Sequence, residues 1–276
     1  MSRFARRALF VFAIAITSLA LSRAARAHGA VDTAARATWN MGEPRPFVAS
    51  TLDFGYVYFR PRVSLGWGRP HAEWVGLDAN PIFQGSGLGA YGGLRASLSF
   101  VDIRLGVRGF YAFERSFLAQ QASYSRTDLE TTNGGHAQYA TYEAEVTTGA
   151  RIGPGELGLV ASASSVEGVR PGTYVFEETL HVIVEPPWVF RARAGYALFV
   201  LPSLGRTSIG PAVEALYVPD RKAVTVRAGV LLRVVITREI EVRGSFVPTI
   251  VSPDTIGIVG GDFTELGLRY RWATEG

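Results

Sequence analysis

The feature that most constrains this chain is a period of two that persists for 11 to 14 residues at a time. From Val101 to Glu114, one face takes Val101, Ile103, Leu105, Val107, Tyr111 and Phe113; the other takes Asp102, Arg104, Gly106, Arg108, Ala112 and Glu114. Successive side chains of a β-strand point to opposite sides, so such a run is a strand with one greasy and one charged face. The design recurs in 188–198, 224–236 and 266–272, and more weakly in 48–60, 71–83, 88–100, 137–152, 156–167, 173–185, 207–217 and 240–250. Helical spacing is sustained nowhere. The chain is therefore expected to be all-β, with about 12 strands and a range of 10 to 14. Short Gly- and Pro-rich turns such as Gly153-Pro154-Gly155 make consecutive strands antiparallel neighbours.

A soluble sandwich also alternates, with its apolar faces turned inward between two sheets. Four features point instead to a barrel whose apolar face meets lipid. Globular strands average about five or six residues, whereas a tilted strand crossing a bilayer needs about 9 to 11. Tyr56, Tyr58, Phe100, Tyr111, Phe113, Trp188, Tyr217, Tyr270 and Trp272 lie near strand ends on the apolar face, the place of an interfacial aromatic girdle. The apolar faces of the four clearest strands carry no Lys, Arg or Glu through their middle, as the cost of about 2–4 kcal/mol for a midplane cation requires. The opposite faces are rich in Gly, Ser, Thr and Ala, which fit a curved interior. The expected fold is a transmembrane antiparallel up-and-down β-barrel over 48–272; a soluble periplasmic β-sandwich or lipocalin-like binder is the alternative.

The ends suit export. Arg3, Arg6 and Arg7 precede an uncharged, mostly apolar run from Ala8 to Leu21, and Ala25-Arg26-Ala27 supplies a small-x-small cleavage site. As a helix that run would reach only about 21 Å, short of the roughly 30 Å hydrocarbon core. Residues 1–27 are thus expected to be a cleavable signal peptide with a mature start at His28, followed by an irregular lead-in over 28–47 and, after the barrel, a tail over 273–276. The formal charge of +4 comes from that leader, which holds five arginines and no acid; the remaining 23 basic and 24 acidic residues leave no footprint for nucleic acid. The absence of cysteine excludes disulfides, thiolate metal sites and thiol catalysis.

The final strand, Leu266-Gly267-Leu268-Arg269-Tyr270-Arg271-Trp272, looks like the C-terminal signal read by the outer-membrane barrel-assembly machinery, although Ala273 to Gly276 follow where that signal usually ends on an aromatic. Over about residues 48–272 the chain resembles the Gram-negative outer-membrane β-barrel proteins in general plan. The resemblance implies a place in the cell outer membrane, lipid contact and delivery by that machinery. With both termini periplasmic, the strand count puts the longest break, 118–135, on the periplasmic side, where long loops are unusual; a strand missed or merged in 60–83 or 250–265 would move it.

Motifs for catalysis are missing. Gly87-Leu88-Gly89-Ala90-Tyr91-Gly92 fits a dinucleotide fingerprint, but a strand rather than a helix follows it. His71, His136 and His181 stand in no hydrolase or zinc motif, so neither enzyme activity nor a cofactor or metal is expected. The informative constellation is the polar face of the strands. Arg104, Arg108, Arg191, Arg193, Arg227, Arg233, Arg243, Arg269 and Arg271 are expected to line the lumen, with Glu143, Glu145, Glu177 and Glu265 among the acids opposing them. Such a lumen would either pass or bind small polar or anionic solutes, or close as its charges pair. Adhesion or partner binding through 118–135, on an otherwise structural barrel, is the other expectation.

Overall fold

The computed structural model describes residues 39–40, 42–55, 58–130, 135–201, 207–261 and 267–275. The expected signal peptide, most of the lead-in, Tyr56 and Glu265 lie outside them. In chain order the elements are β1 (Arg45–Phe54), β2 (Tyr58–Gly68), β3 (Trp74–Gln84), β4 (Gly87–Ser97), β5 (Val101–Ala112), β6 (Leu118–Ala119), the short helix α1 (Arg126–Glu130), β7 (Gln138–Ile152) and β8 (Gly155–Glu167). Then come β9 (Thr173–Glu177), β10 (Val182–Val184), β11 (Trp188–Leu201), β12 (Thr207–Val218), β13 (Ala223–Val235), β14 (Ile240–Phe246), β15 (Thr249–Val251) and β16 (Gly267–Ala273).

Twelve of these strands pair in antiparallel sequence and return to the start, where β16 meets β1 along Ala49↔Ala273 to Phe54↔Leu268. β15 prolongs β14 past Pro248 along the edge of β13. A sheet closed on itself has no edge to protect and is not a two-sheet sandwich, so the sandwich alternative falls. Outward positions carry the large apolar side chains left exposed, among them Leu65, Leu77, Leu94, Leu105, Val213 and Val230. Phe100, Tyr111, Phe113, Trp188, Tyr217 and Trp272 of the expected girdle are exposed with them.

The number twelve agrees with the sequence reading, but two discrepancies cancel. The stretch 48–60 joins β1 to the start of β2, because the sequence between them, Phe54-Gly55-Tyr56-Val57-Tyr58-Phe59, has no polar break. The stretch 173–185 is not in the wall at all: β9 and β10 form a hairpin that, with β6, makes a separate three-stranded sheet. The corrected count moves the described part of 118–135 to the end opposite the termini, beside 168–187 and 252–261.

That segment is not a free loop. Leu118 is buried in β6, and Tyr124 and Leu129 are also buried, packed with Tyr174, Phe176, Ile183 and Ile256. Arg221 joins the cap by donating to both oxygens of Asp254 at 2.5 Å, while Asp254 accepts the N–H of Tyr124 at 3.0 Å. At the other end, Trp39 donates its indole N–H to the Arg238 carbonyl at 3.0 Å and meets the His71 ring edge-on.

Candidate functional site in the lumen

Along β5, β7, β8, β11, β12 and β13, the inward positions near the loop end are apolar: Phe110, Ala112, Tyr139, Val166, Val189, Leu216, Val218 and Ala223. Val175, Leu180, Val182 and Val184 of the inner hairpin pack against them. Full burial of a Val or Ile side chain is worth about 1.5–3 kcal/mol, and Ile183 and Val184 have no exposed surface. This half of the lumen is filled.

The tip of the hairpin, 178–181, turns back on itself with His181 at a φ of 53°. Glu177 holds the turn by accepting the N–H groups of Thr179 at 3.0 Å and Leu180 at 2.6 Å. The wall grips the tip from two sides. Arg108 donates to Glu177 at 3.0 Å and to Glu143 at 2.6 Å. Arg227 donates to the carbonyls of Leu180 and His181 at 2.8 and 2.9 Å and to Glu214 at 2.6 Å. Glu178 takes hydrogen bonds from Ser86 at 2.9 Å and from Arg115.

The rest of the lumen is hollow. A cavity of about 610 Å³ runs from His71, Ser97 and Ser208 at the termini end to Asp53 and Arg60, which flank the β1–β2 turn. Nine arginines line it (Arg60, Arg62, Arg95, Arg104, Arg193, Arg233, Arg243, Arg269 and Arg271) against four carboxylates, Asp53, Asp102, Glu145 and Glu156. Buried carboxylates behind the surface are shared. Glu241, with no exposed surface, serves Arg233 at 2.8 Å, Arg271 at 3.1 Å, Arg269 at 3.8 Å and Arg243. Asp78 binds Arg95 at 3.3 Å and Ser64 at 2.5 Å. With these two counted, nine arginines stand against six carboxylates around a solvent-sized space.

No family model and no curated protein matches the sequence. Solved structures with a similar chain course include two porins. The NanC porin in a rhombohedral crystal form matches with a TM-score of 0.38 at 9% identity, covering 83% of this chain and 97% of that one. The KdgM porin in complex with disordered oligogalacturonate gives 0.36 at 10%, covering 82% and 96%. A loop-deleted OmpT, an outer membrane protein of Vibrio cholerae, gives 0.35 at 8%, covering 82% and 97%. At TM-scores this low the likeness adds nothing to what the strand pairing establishes.

The residues singled out from sequence divide between the two regions. Arg104, Arg193, Arg233, Arg243, Arg269, Arg271 and Glu145 line the cavity. Arg108, Arg227 and Glu177 are buried at the hairpin, Glu143 bridges to Arg108, and Arg191 pairs with Glu214 at 2.6 Å. Glu265 is outside the described residues. Glu114, on the polar face of the same run as Arg104 and Arg108, is exposed beyond the end of β5. The three histidines stand apart: His71 at the β2–β3 turn, His136 against the outward ring of Tyr111, His181 on the inner hairpin. The sequence reading missed Arg60 and Arg62, because β2 was merged into its neighbour and its inward face with it, and passed over Asp53, Asp78 and Arg95, which lie on β1, β3 and β4, where the alternation is weaker. The alternation Arg60, Arg62, Ser64, Gly66 against Phe59, Val63, Leu65, Trp67, interrupted only by Pro61, was the available signal.

Proposed function

We propose that the chain is an exported outer-membrane barrel, released from its leader before His28, through which small polar and anionic solutes pass or in which they bind. The observation that carries this reading is the arginine-rich cavity of about 610 Å³ beside the filled half of the lumen, inside a wall whose outer face is apolar. The long connections gather at one end, so that end faces the exterior and the termini face the periplasm. The route for a solute runs alongside the hairpin, past β14, β16, β1 and β2, rather than through it. Lipid surrounds the barrel, and the assembly machinery that reads the last strand inserts it.

Reversal potentials across a planar bilayer test the reading. In a KCl gradient the reconstituted barrel should select chloride, and Arg193→Glu together with Arg233→Glu should move the reversal potential toward cation preference. An open channel whose reversal potential ignores both changes would overturn the assignment. Arg227 is unsuitable for this test despite its place in the pattern, because it is buried and holds the hairpin tip.

A further inference from the structure

The β2–β3 ladder is interrupted between Phe59↔Phe83 and Val63↔Ala79. The register sets Pro61 opposite Pro81 within the gap, and neither has an N–H to give. Next to this break, Arg62 and Asn80 fall side by side, one step along from Val63↔Ala79. Both line the cavity. Arg62 makes no hydrogen bond or ion pair with any described residue, and its Nε is buried without a partner. The amide oxygen of Asn80, on a side chain more than nine-tenths buried, has no donor either. Across the next strand, Arg104 lies over the Tyr91 ring at 5.0 Å, reaching its one carboxylate hydrogen-bond partner, Glu145, only at 3.4 Å, with its Nε also unpartnered.

An unpartnered Nε alone marks nothing, since Arg108 and Arg227 have one too, but an arginine with no partner among the described residues beside an orphaned buried amide oxygen, both lining one space, marks the place of something that satisfies them. Two guanidinium groups lining one cavity ask for an oxyanion, and forked N–H donors favour one with two oxygens. The orphaned Asn80 oxygen asks for a donor on the same ligand. We infer that Arg62, Arg104 and Asn80 form a subsite for a small oxyanion bearing an O–H group, a hydroxycarboxylate or a hydrogen phosphate. The inference rests on the lumen being open to solutes, as proposed above, and does not require that it conduct.

Titration calorimetry on the barrel purified from outer membranes in detergent separates the two ideas. Lactate should bind more tightly than acetate, and phosphate more tightly than sulfate, at pH 7. Arg62→Gln should weaken all four by about tenfold. Asn80→Leu should abolish the preference for the hydroxylated member of each pair. Heat-modifiable mobility on gels confirms that each variant is folded; should Arg62→Gln fail to fold, Arg62→Lys removes the fork while keeping the charge, and should weaken binding by about threefold. Equal affinity of wild type and the Arg62 variant, or no binding by any of the four anions, overturns the subsite and leaves the belt hydrated by water only, whatever the channel does. Arg62-dependent binding by a barrel that carries no current would keep the subsite and end the reading as a pore.

Discussion

The two halves of the lumen share one wall and one strand pattern, yet they solve the burial of charge in opposite ways. Around the inner hairpin, the buried arginines are each committed to particular partners, Arg108 to Glu177 and Glu143, Arg227 to Glu214 and two hairpin carbonyls. Around the cavity, four arginines of β13, β14 and β16 share Glu241 and solvent-sized space remains in front of them. The difference follows from what fills the space. A hairpin with apolar sides can exclude water only if its polar tip is fully paired, since an unpaired buried charge costs several kcal/mol. A hydrated cavity tolerates a surplus of one sign, and so can use it.

This contrast can be broken from either side. The largest effect is expected from Glu177→Ala, which uncaps the hairpin turn and takes a partner from the buried Arg108; it should cost about 3–5 kcal/mol. Urea denaturation followed by the heat-modifiable band measures it, and a loss below about 1 kcal/mol would mean the tip is not clamped. Ile183→Ala, inside the hairpin sheet, should cost about 2–5 kcal/mol by leaving a cavity, while single-channel current rises as the filled half loosens. In the hollow half, Arg233→Gln should cost only about 1 kcal/mol, because Glu241 keeps three other arginines, yet it should change anion selectivity measurably. Equal stability losses for Arg233→Gln and Glu177→Ala would erase the distinction between the halves.

The smallest effect concerns the termini end. Burial pushes His71 down to about 4, with the positive charge of Arg271 acting the same way against the opposing hydrogen bond to the Trp272 carbonyl. The unfolded chain therefore takes up a proton near the ordinary value of 6.5 before the folded one does. The contribution is fully present above 6.5 and is lost as the pH falls toward 4. His71→Gln should flatten the pH dependence of urea stability in that window, and an unchanged slope would assign it to other groups.

Part of the filled half was legible before the structure. At Gly109-Phe110-Tyr111-Ala112, Trp188-Val189-Phe190 and Leu216-Tyr217-Val218 the alternation fails and both faces become apolar. A strand apolar on both sides is buried on both sides, so something had to pack inside the barrel at those heights. Tyr174-Val175-Phe176 and Val182-Ile183-Val184 are continuous apolar runs of the same kind, and Glu177 is followed by the turn they need. Counting 173–185 as one more wall strand overlooked that signal. The hollow half was readable as far as β5, β11, β13 and β16 carry it, through Arg104, Arg193, Arg233, Arg269 and Arg271. The pair Arg62 and Asn80 was not, since its significance depends on a broken ladder between two strands.

By itself the sequence determined that the chain is all-β, that its strands are antiparallel neighbours and that one face of each is apolar, because a two-residue period and short turns are local properties that each segment carries alone. Only the tertiary structure decided which strands belong to the wall, which hairpin lies within it, and which arginines were left with too few carboxylates. Those outcomes depend on residues far apart in the chain meeting inside a closed wall, such as Arg108 with Glu177 of the inner hairpin, or Arg269 with Asp53 where β16 closes onto β1. Pairing and space in such an interior are set by closure of the whole sheet, which no single strand encodes.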